Sequence, residues 1–320
     1  MSAPKRVILV TGSPRSGTTA IGQYLSLPGN TAPLHEPLNG ITGLSRVSRH
    51  YEIPGTAGFD DTDLEEIVHG IRHLKLTYKK RGYDREKIHR KIAARLVGHR
   101  PRLSYLAAKY RFGIERLIWK DPFALPLLGH PAMQDIPSVV TVRNPFAVAA
   151  SYKRMRWGND ADEVAGRLDA LGAWSAPCLP KSFGAEGYSA AENAALLWSV
   201  NYRRAVEAFR ARDNLWFVDI DDVIAQPVGV YRTLYRHLDI PWTDGIEQQI
   251  RAAYTAPAEG SATTEQPKEN KAHDQNRDIS KVNSYWTSVL TEEEAARVGE
   301  LTGETAAMLA ETPMVDGKEG

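Results

Sequence analysis

The chain has 320 residues, 42% of them hydrophobic, and 40 Lys and Arg against 39 Asp and Glu, a net charge of +1. That is enough apolar material for a full core, suits a large α/β domain carrying a substrate-binding insertion, and shows no charge excess that would call for a nucleic-acid partner. A single cysteine, Cys178, excludes an intrachain disulfide, and no Cys/His cluster has metal-ligand spacing, so no metal is expected.

At the N-terminus only the run Val7-Ile8-Leu9-Val10 is apolar, which predicts neither a signal peptide nor a membrane span and points to the cytoplasm. Residues 6–11 read as a β-strand ending at Gly12, followed by a helical pattern over 18–27. A weaker strand runs through 31–35. Helical patterns over 63–77 and 85–110 make residues 60–112 a helical insertion. Further strands are predicted at 116–119, 138–142 and 215–220, each continuously apolar, as in a parallel sheet covered on both faces. Helices follow at 146–156, 190–210 and 222–238, the last with Asp221 or Asp222 as N-cap. Residues 255–283 are polar and read as a mobile loop or lid; the helix at 291–309 opens on a Thr-Glu-Glu-Glu capping box. The alternation predicts an α/β fold, a three-layer α/β/α arrangement around a central parallel sheet.

The charge is unevenly spread. Residues 72–111 hold 14 Lys and Arg against two acids, a net +12 that leaves −11 for the rest. Two readings stand: a solvated helical surface, or a face for an anionic partner.

Gly12-Ser13-Pro14-Arg15-Ser16-Gly17-Thr18-Thr19 lies between the first strand and the first helix, where backbone N–H groups and the helix dipole favour an anion. The glycines have P-loop spacing, but Thr18 stands where the P-loop lysine belongs. Without that lysine ordinary ATP or GTP hydrolysis is disfavoured, and Arg15 must supply the charge. The alternative is a P-loop kinase or nucleotidase with Asp121, Asp219 or Asp221 as metal ligand.

The run Pro14-Arg15-Ser16-Gly17-Thr18-Thr19 resembles the 5′-phosphosulfate loop of the PAPS-dependent sulfotransferase superfamily, PAPS being 3′-phosphoadenosine 5′-phosphosulfate. Arg143-Asn144-Pro145 at a strand end, with Ser151 in the following helix, is similar to that family's 3′-phosphate motif. Lys120-Asp121-Pro122-Phe123 resembles a block of tyrosylprotein sulfotransferases, and His35-Glu36-Pro37 resembles a segment of that group and of carbohydrate sulfotransferases. The resemblance touches motifs from Val7 to about Leu290 and implies one sulfotransferase domain over 1–320, with 60–112 on the acceptor side.

It implies PAPS as cosubstrate and PAP as product, bound by the loop 14–19, Arg143 and Ser151, with no metal. Glu36 is the implied general base, and Lys120 and Arg15 stabilise the transition state. The implied acceptor is a hydroxyl on a glycan, glycolipid, small metabolite or tyrosine, and an anionic acceptor would suit the basic segment. Topology agrees, since Arg15, Glu36, Lys120 and Arg143 each follow a predicted strand and such ends share one crevice. His35 is the rival base, but alternation in an extended segment sends His35 and Glu36 to opposite sides. A carboxylate of ordinary pKa about 4.3, lowered further by cations, is a weak base that must rely on desolvation and late proton transfer. Lys281 and Trp286 lie in a segment loosely similar to the family's nucleotide-closing stretch; phosphate and adenine contacts stand there against a solvated lysine and a core tryptophan.

Overall fold

Five short apolar runs form the strands of one sheet in a computed structural model that describes residues 3–79, 99–157, 161–170, 188–255 and 285–317. They are β1 (Arg6–Gly12), β2 (Thr31–His35), β3 (Arg116–Lys120), β4 (Ser138–Val142) and β5 (Leu215–Asp219). All pairings are parallel, in the order β2-β3-β1-β4-β5. The chain leaves β1 for one side of the sheet and later returns to the other, so the strand order reverses beside β1. In open parallel sheets the crevice lies at such a point, at the C-terminal strand ends.

The described helices are α1 (Thr18–Leu25), α2 (Asp61–His73), α3 (Arg100–Tyr110), α4 (Pro145–Met155) and α5 (Ala161–Ala170). After them come α6 (Ala190–Arg210), α7 (Ile220–Ala225), α8 (Pro227–His237), α9 (Asp244–Thr255) and α10 (Glu292–Ala310). Alternate strand residues serve opposite faces. Leu9, Trp119 and Phe217 join one core with α2, α3, α4, α6 and α10. Ile8, Val10 and Ile118 join a second with α1, α7, α8 and α9. Two apolar faces on one sheet give the three layers foreseen from the unbroken apolar strands.

Strands at 31–35 and 138–142 and the helix at 190–210 fall at the expected residues. The last helix carries the expected capping box, Thr291 accepting from Glu294 N–H and Glu294 accepting from Thr291 N–H. The helix expected over 222–238 is two. Pro227 lacks an N–H to continue α7 and instead occupies the first turn of α8. The cap of α7 is Asp219, which accepts from Asp221 N–H at 2.8 Å, rather than Asp221 or Asp222. In the basic segment α3 begins at Arg100, because His99 is extended and Pro101 sits in the first turn. Residues 80–98 lie outside the described residues, as does the 255–283 loop beyond Thr255. Helices α5 and α9 had no sequence assignment.

Candidate active site

Where β1 ends, Gly12 has φ 152°, and a Cβ there would overlap the side-chain and carbonyl oxygens of Thr141 on β4. Glycine is therefore what lets the loop start so close to the neighbouring strand. The loop then braces itself. Ser16 Oγ shares a hydrogen bond with Thr141 Oγ1 at 2.7 Å, and Ser16 N–H donates to Ser13 O at 3.0 Å. Gly17 is the N-cap of α1 with φ 88°, and no side chain caps that helix. The opening N–H groups at Gly17, Thr18 and Thr19 thus form an anion-binding end. Pro14, Ser16 and Thr18 are buried, Arg15 and Thr19 half-buried.

Arg15 has φ 74°, a left-handed conformation that costs a non-glycine residue about 1–3 kcal/mol. Neighbours hold it there. Its carbonyl accepts from Arg143 Nη1 at 2.9 Å and its Nε donates to Ser151 Oγ at 3.0 Å. Three residues singled out separately, one after β1, one after β4 and one in α4, are thereby joined. From below, buried α6 fixes the same corner. Tyr202 Oη donates to Thr141 O at 2.6 Å and accepts from Ser13 N–H at 3.1 Å, and Trp198 Nε1 donates to Arg143 O at 3.0 Å.

Across β1, Glu36 directly follows β2 and Lys120 ends β3. The Lys120 ammonium lies 2.5 Å from Glu36 Oε1, and Glu36 N–H donates to Lys120 O at 2.7 Å. Glu36 also has a left-handed backbone, φ 46°. Its Oε2 accepts from Asn39 Nδ2 at 3.1 Å, while Asn39 Oδ1 accepts from the N–H groups of Ile41 and Thr42 and fixes the turn. Burial would raise the Glu36 pKa, but Lys120, His35 and the two side-chain hydrogen bonds together bring it down to about 2. On the helix beneath, a Cβ at Gly22 would stand 3.3 Å from Lys120 Cβ and Cγ, so α1 packs directly on the lysine stem.

Asp121 supports this pair without facing solvent. Fully buried, it accepts from Leu38 N–H at 2.7 Å, Phe123 N–H at 3.1 Å and Trp119 Nε1 at 3.2 Å. Burial raises its pKa to about 7, aided by the Glu36 charge and opposed by the three donors. Both Asp121 oxygens are thus engaged by internal donors, and Asp219 caps α7. Of the three ligands named for the kinase reading, these observations engage Asp121 and Asp219 elsewhere. Among the described residues no group of three or more His, Cys, Asp or Glu is arranged to hold a metal, and no helix is long and apolar enough to cross a membrane.

One expectation is corrected. His35 Nδ1 lies 3.6 Å from Glu36 Oε1, so the two side chains share a side. The alternation rule stops with the strand at His35, and the left-handed turn at Glu36 swings the carboxylate back. Trp286 stacks on Phe146 with ring centroids 4.8 Å apart and packs against the core, while Lys281 lies outside the described residues. Asn39, Trp198 and Tyr202 went unnoticed in the sequence. For the last two a signal existed: indole and phenol groups on the apolar face of a buried helix need polar partners.

The Sulfotransferase family matches residues 7–244. Among solved structures, the sulfotransferase domain from the curacin biosynthetic pathway is 14% identical over 95% of this chain and 99% of that one, with a TM-score of 0.45. The sulfotransferase domain from the Synechococcus PCC 7002 olefin synthase is 15% identical over 98% of this chain and 97% of that one, at 0.46. Retinol dehydratase in a complex with retinol and PAP is 14% identical over 98% and 84%, at 0.46. No curated protein matches. The family match spans β1 to the start of α9 and takes in the loop, Glu36, Lys120 and the Arg143–Ser151 pair, and the chain belongs to the sulfotransferase family.

Proposed function

We propose that the chain transfers the sulfuryl group of PAPS to an acceptor hydroxyl, with Glu36 as general base. The observation that carries this reading is that Arg15, Arg143, Lys120 and Glu36 lie at the C-terminal ends of four adjacent strands, with Lys120 closed on Glu36 and Arg143 joined to Arg15. PAPS suits the residues present: an uncapped α1 N-terminus for the 5′-phosphosulfate, and Arg143 with Ser151 one loop away for a 3′-phosphate. When bound, it supplies the sulfuryl group and an adenosine 3′,5′-bisphosphate leaving group.

The acceptor oxygen attacks sulfur as the bond from sulfur to the 5′-phosphate oxygen breaks, and Glu36 takes the hydroxyl proton. Lys120 and Arg15 offset the charge that grows on the sulfuryl oxygens and the leaving phosphate. A carboxylate of pKa about 2 is a poor base while Lys120 is on it. Turning Lys120 towards the sulfuryl group removes that cation, and Glu36 becomes more basic when a base is needed. His35, at 3.6 Å, is the second candidate for the proton, so His35→Ala belongs in every series with Glu36→Gln.

Residues 60–112 are the acceptor flank of a single domain in this reading, and 255–283 and Lys281 its closing segment. The test is PAP release from PAPS in the presence of a panel of hydroxyl acceptors, with and without EDTA. Release that requires an acceptor and ignores EDTA supports the reading. Activity that requires ATP and magnesium instead returns the chain to the phosphotransferase alternative.

A further inference from the structure

The outer face of α3 makes none of the contacts described for the site. In α3 the inward positions Pro101, Tyr105 and Ala108 are buried, and the outward positions Arg100, Leu103, Ala107 and Tyr110 are exposed. Steps of three and four place the outward set in one stripe along the helix. A surface helix normally turns polar residues outward. This one shows Leu103 at 42% and Tyr110 at 74% exposure, and Phe112 in the turn that follows is 99% exposed.

Cations frame the stripe, Arg100 at one end and Lys109 and Arg111 at the other. The Lys109 ammonium lies 5.9 Å from the Tyr110 ring centroid. Beside the turn is a cleft of about 440 Å³ lined by Lys5, His73, Lys109 and Arg111 among others; its one acid, Glu115, accepts from Asn30 Nδ2 at 2.7 Å.

We propose that the outer face of α3 and the turn 110–113 dock on an anionic lipid bilayer. Tyr110 and Phe112 enter the interfacial layer, and the flanking cations and the cleft meet acidic headgroups. A two-fold contact with a second copy is disfavoured by the same charges, because it would set one cationic stripe against another. The orientation also suits a catalyst. Ser104 Oγ accepts from His35 N–H at 2.9 Å and Arg111 Nη2 donates to Gly29 O at 2.8 Å, so α3 runs antiparallel to β2. Docked along α3, the end of β2 that carries Glu36 stays beside the bilayer, and the crevice opens along its surface.

The experiment is flotation of the full chain with phosphatidylcholine vesicles, with or without about one-third phosphatidylserine. Binding is expected on the anionic vesicles alone, weakening as salt rises from about 0.1 M to 1 M and the Debye length shrinks from about 10 to 3 Å. Leu103→Ser, Tyr110→Ser and Phe112→Ser together should cut that binding about tenfold or more with an unchanged thermal midpoint, and Phe112→Ser alone should give part of the loss. Failure of the native chain to bind, equal binding to neutral vesicles, or binding that survives the triple substitution each overturns the proposal. A dimer in solution that the triple substitution dissolves, without vesicle binding, assigns the face to a second copy and overturns it as well. None of these readouts needs PAPS, so they stand or fall apart from the sulfotransfer reading.

Discussion

The two halves of the crevice differ in how their cations are held. On the β1–β4 side, Arg15 donates to a serine hydroxyl and Arg143 to a backbone carbonyl, and a buried tyrosine and tryptophan fix the loop from beneath. On the β2–β3 side, Lys120 is closed on an opposite charge at 2.5 Å. In the proposed reaction the first half is a frame for an anion and the second a pair that has to open. Both contain a residue of left-handed backbone, Arg15 and Glu36, two of the six such non-glycine positions described. Local strain kept in place by several hydrogen bonds is what a preorganised site looks like.

The sharpest way to separate the halves is Glu36→Gln. Turnover should fall by about 10²–10⁴, the usual worth of general-base catalysis, while PAP affinity stays within about threefold of native. His35→Ala should leave most of the rate. If Glu36→Gln is fully active and His35→Ala is not, the base is His35 and the β2–β3 pair is structural.

Acid should act on the β2–β3 half alone. The Glu36 pKa is depressed, from 4.5 unfolded to about 2 folded, so its stabilisation is complete above about pH 4.5 and lost as pH falls through about 2. The difference is about 3 kcal/mol, and Glu36→Gln should remove that part of the acid sensitivity in thermal unfolding followed from pH 6 to 2. An identical acid profile for the two proteins would mean that the pair contributes nothing.

The smallest effect belongs to the frame. Tyr202→Phe strands Ser13 N–H and Thr141 O in a buried corner, which should cost about 1–3 kcal/mol of stability. PAP affinity should weaken by up to about tenfold, and the ratio of Glu36→Gln to native turnover should not change. A Tyr202→Phe protein with native PAP affinity would make the brace irrelevant to the loop.

Much of this was legible beforehand because it rests on short-range signals. Unbroken apolar runs marked four of the five strands, a weaker pattern marked β2, and Gly12 and Gly17 marked the turn and helix start between β1 and α1. Strand ends then collected Arg15, Glu36, Lys120 and Arg143 by topology alone. What escaped depends on tertiary approach. Asn39 matters because its turn folds back onto Glu36, and Tyr202 because α6 passes under Thr141, about 60 residues away in sequence. The alternation rule failed at His35 and Glu36 for a local reason, a left-handed residue directly after the strand. The basic stretch was legible as charge, but its apolar outer stripe became visible only once α3 was placed on β2.

The central claim, that the β1–β4 half recognises a nucleotide carrying a 3′-phosphate, is tested most directly by thermal unfolding of the native chain with PAP and with ADP. The account predicts a much larger stabilisation by PAP, an advantage of about 1.5–3 kcal/mol that disappears in the Arg143→Ala, Ser151→Ala double variant. Equal stabilisation of the native chain by PAP and ADP would contradict it.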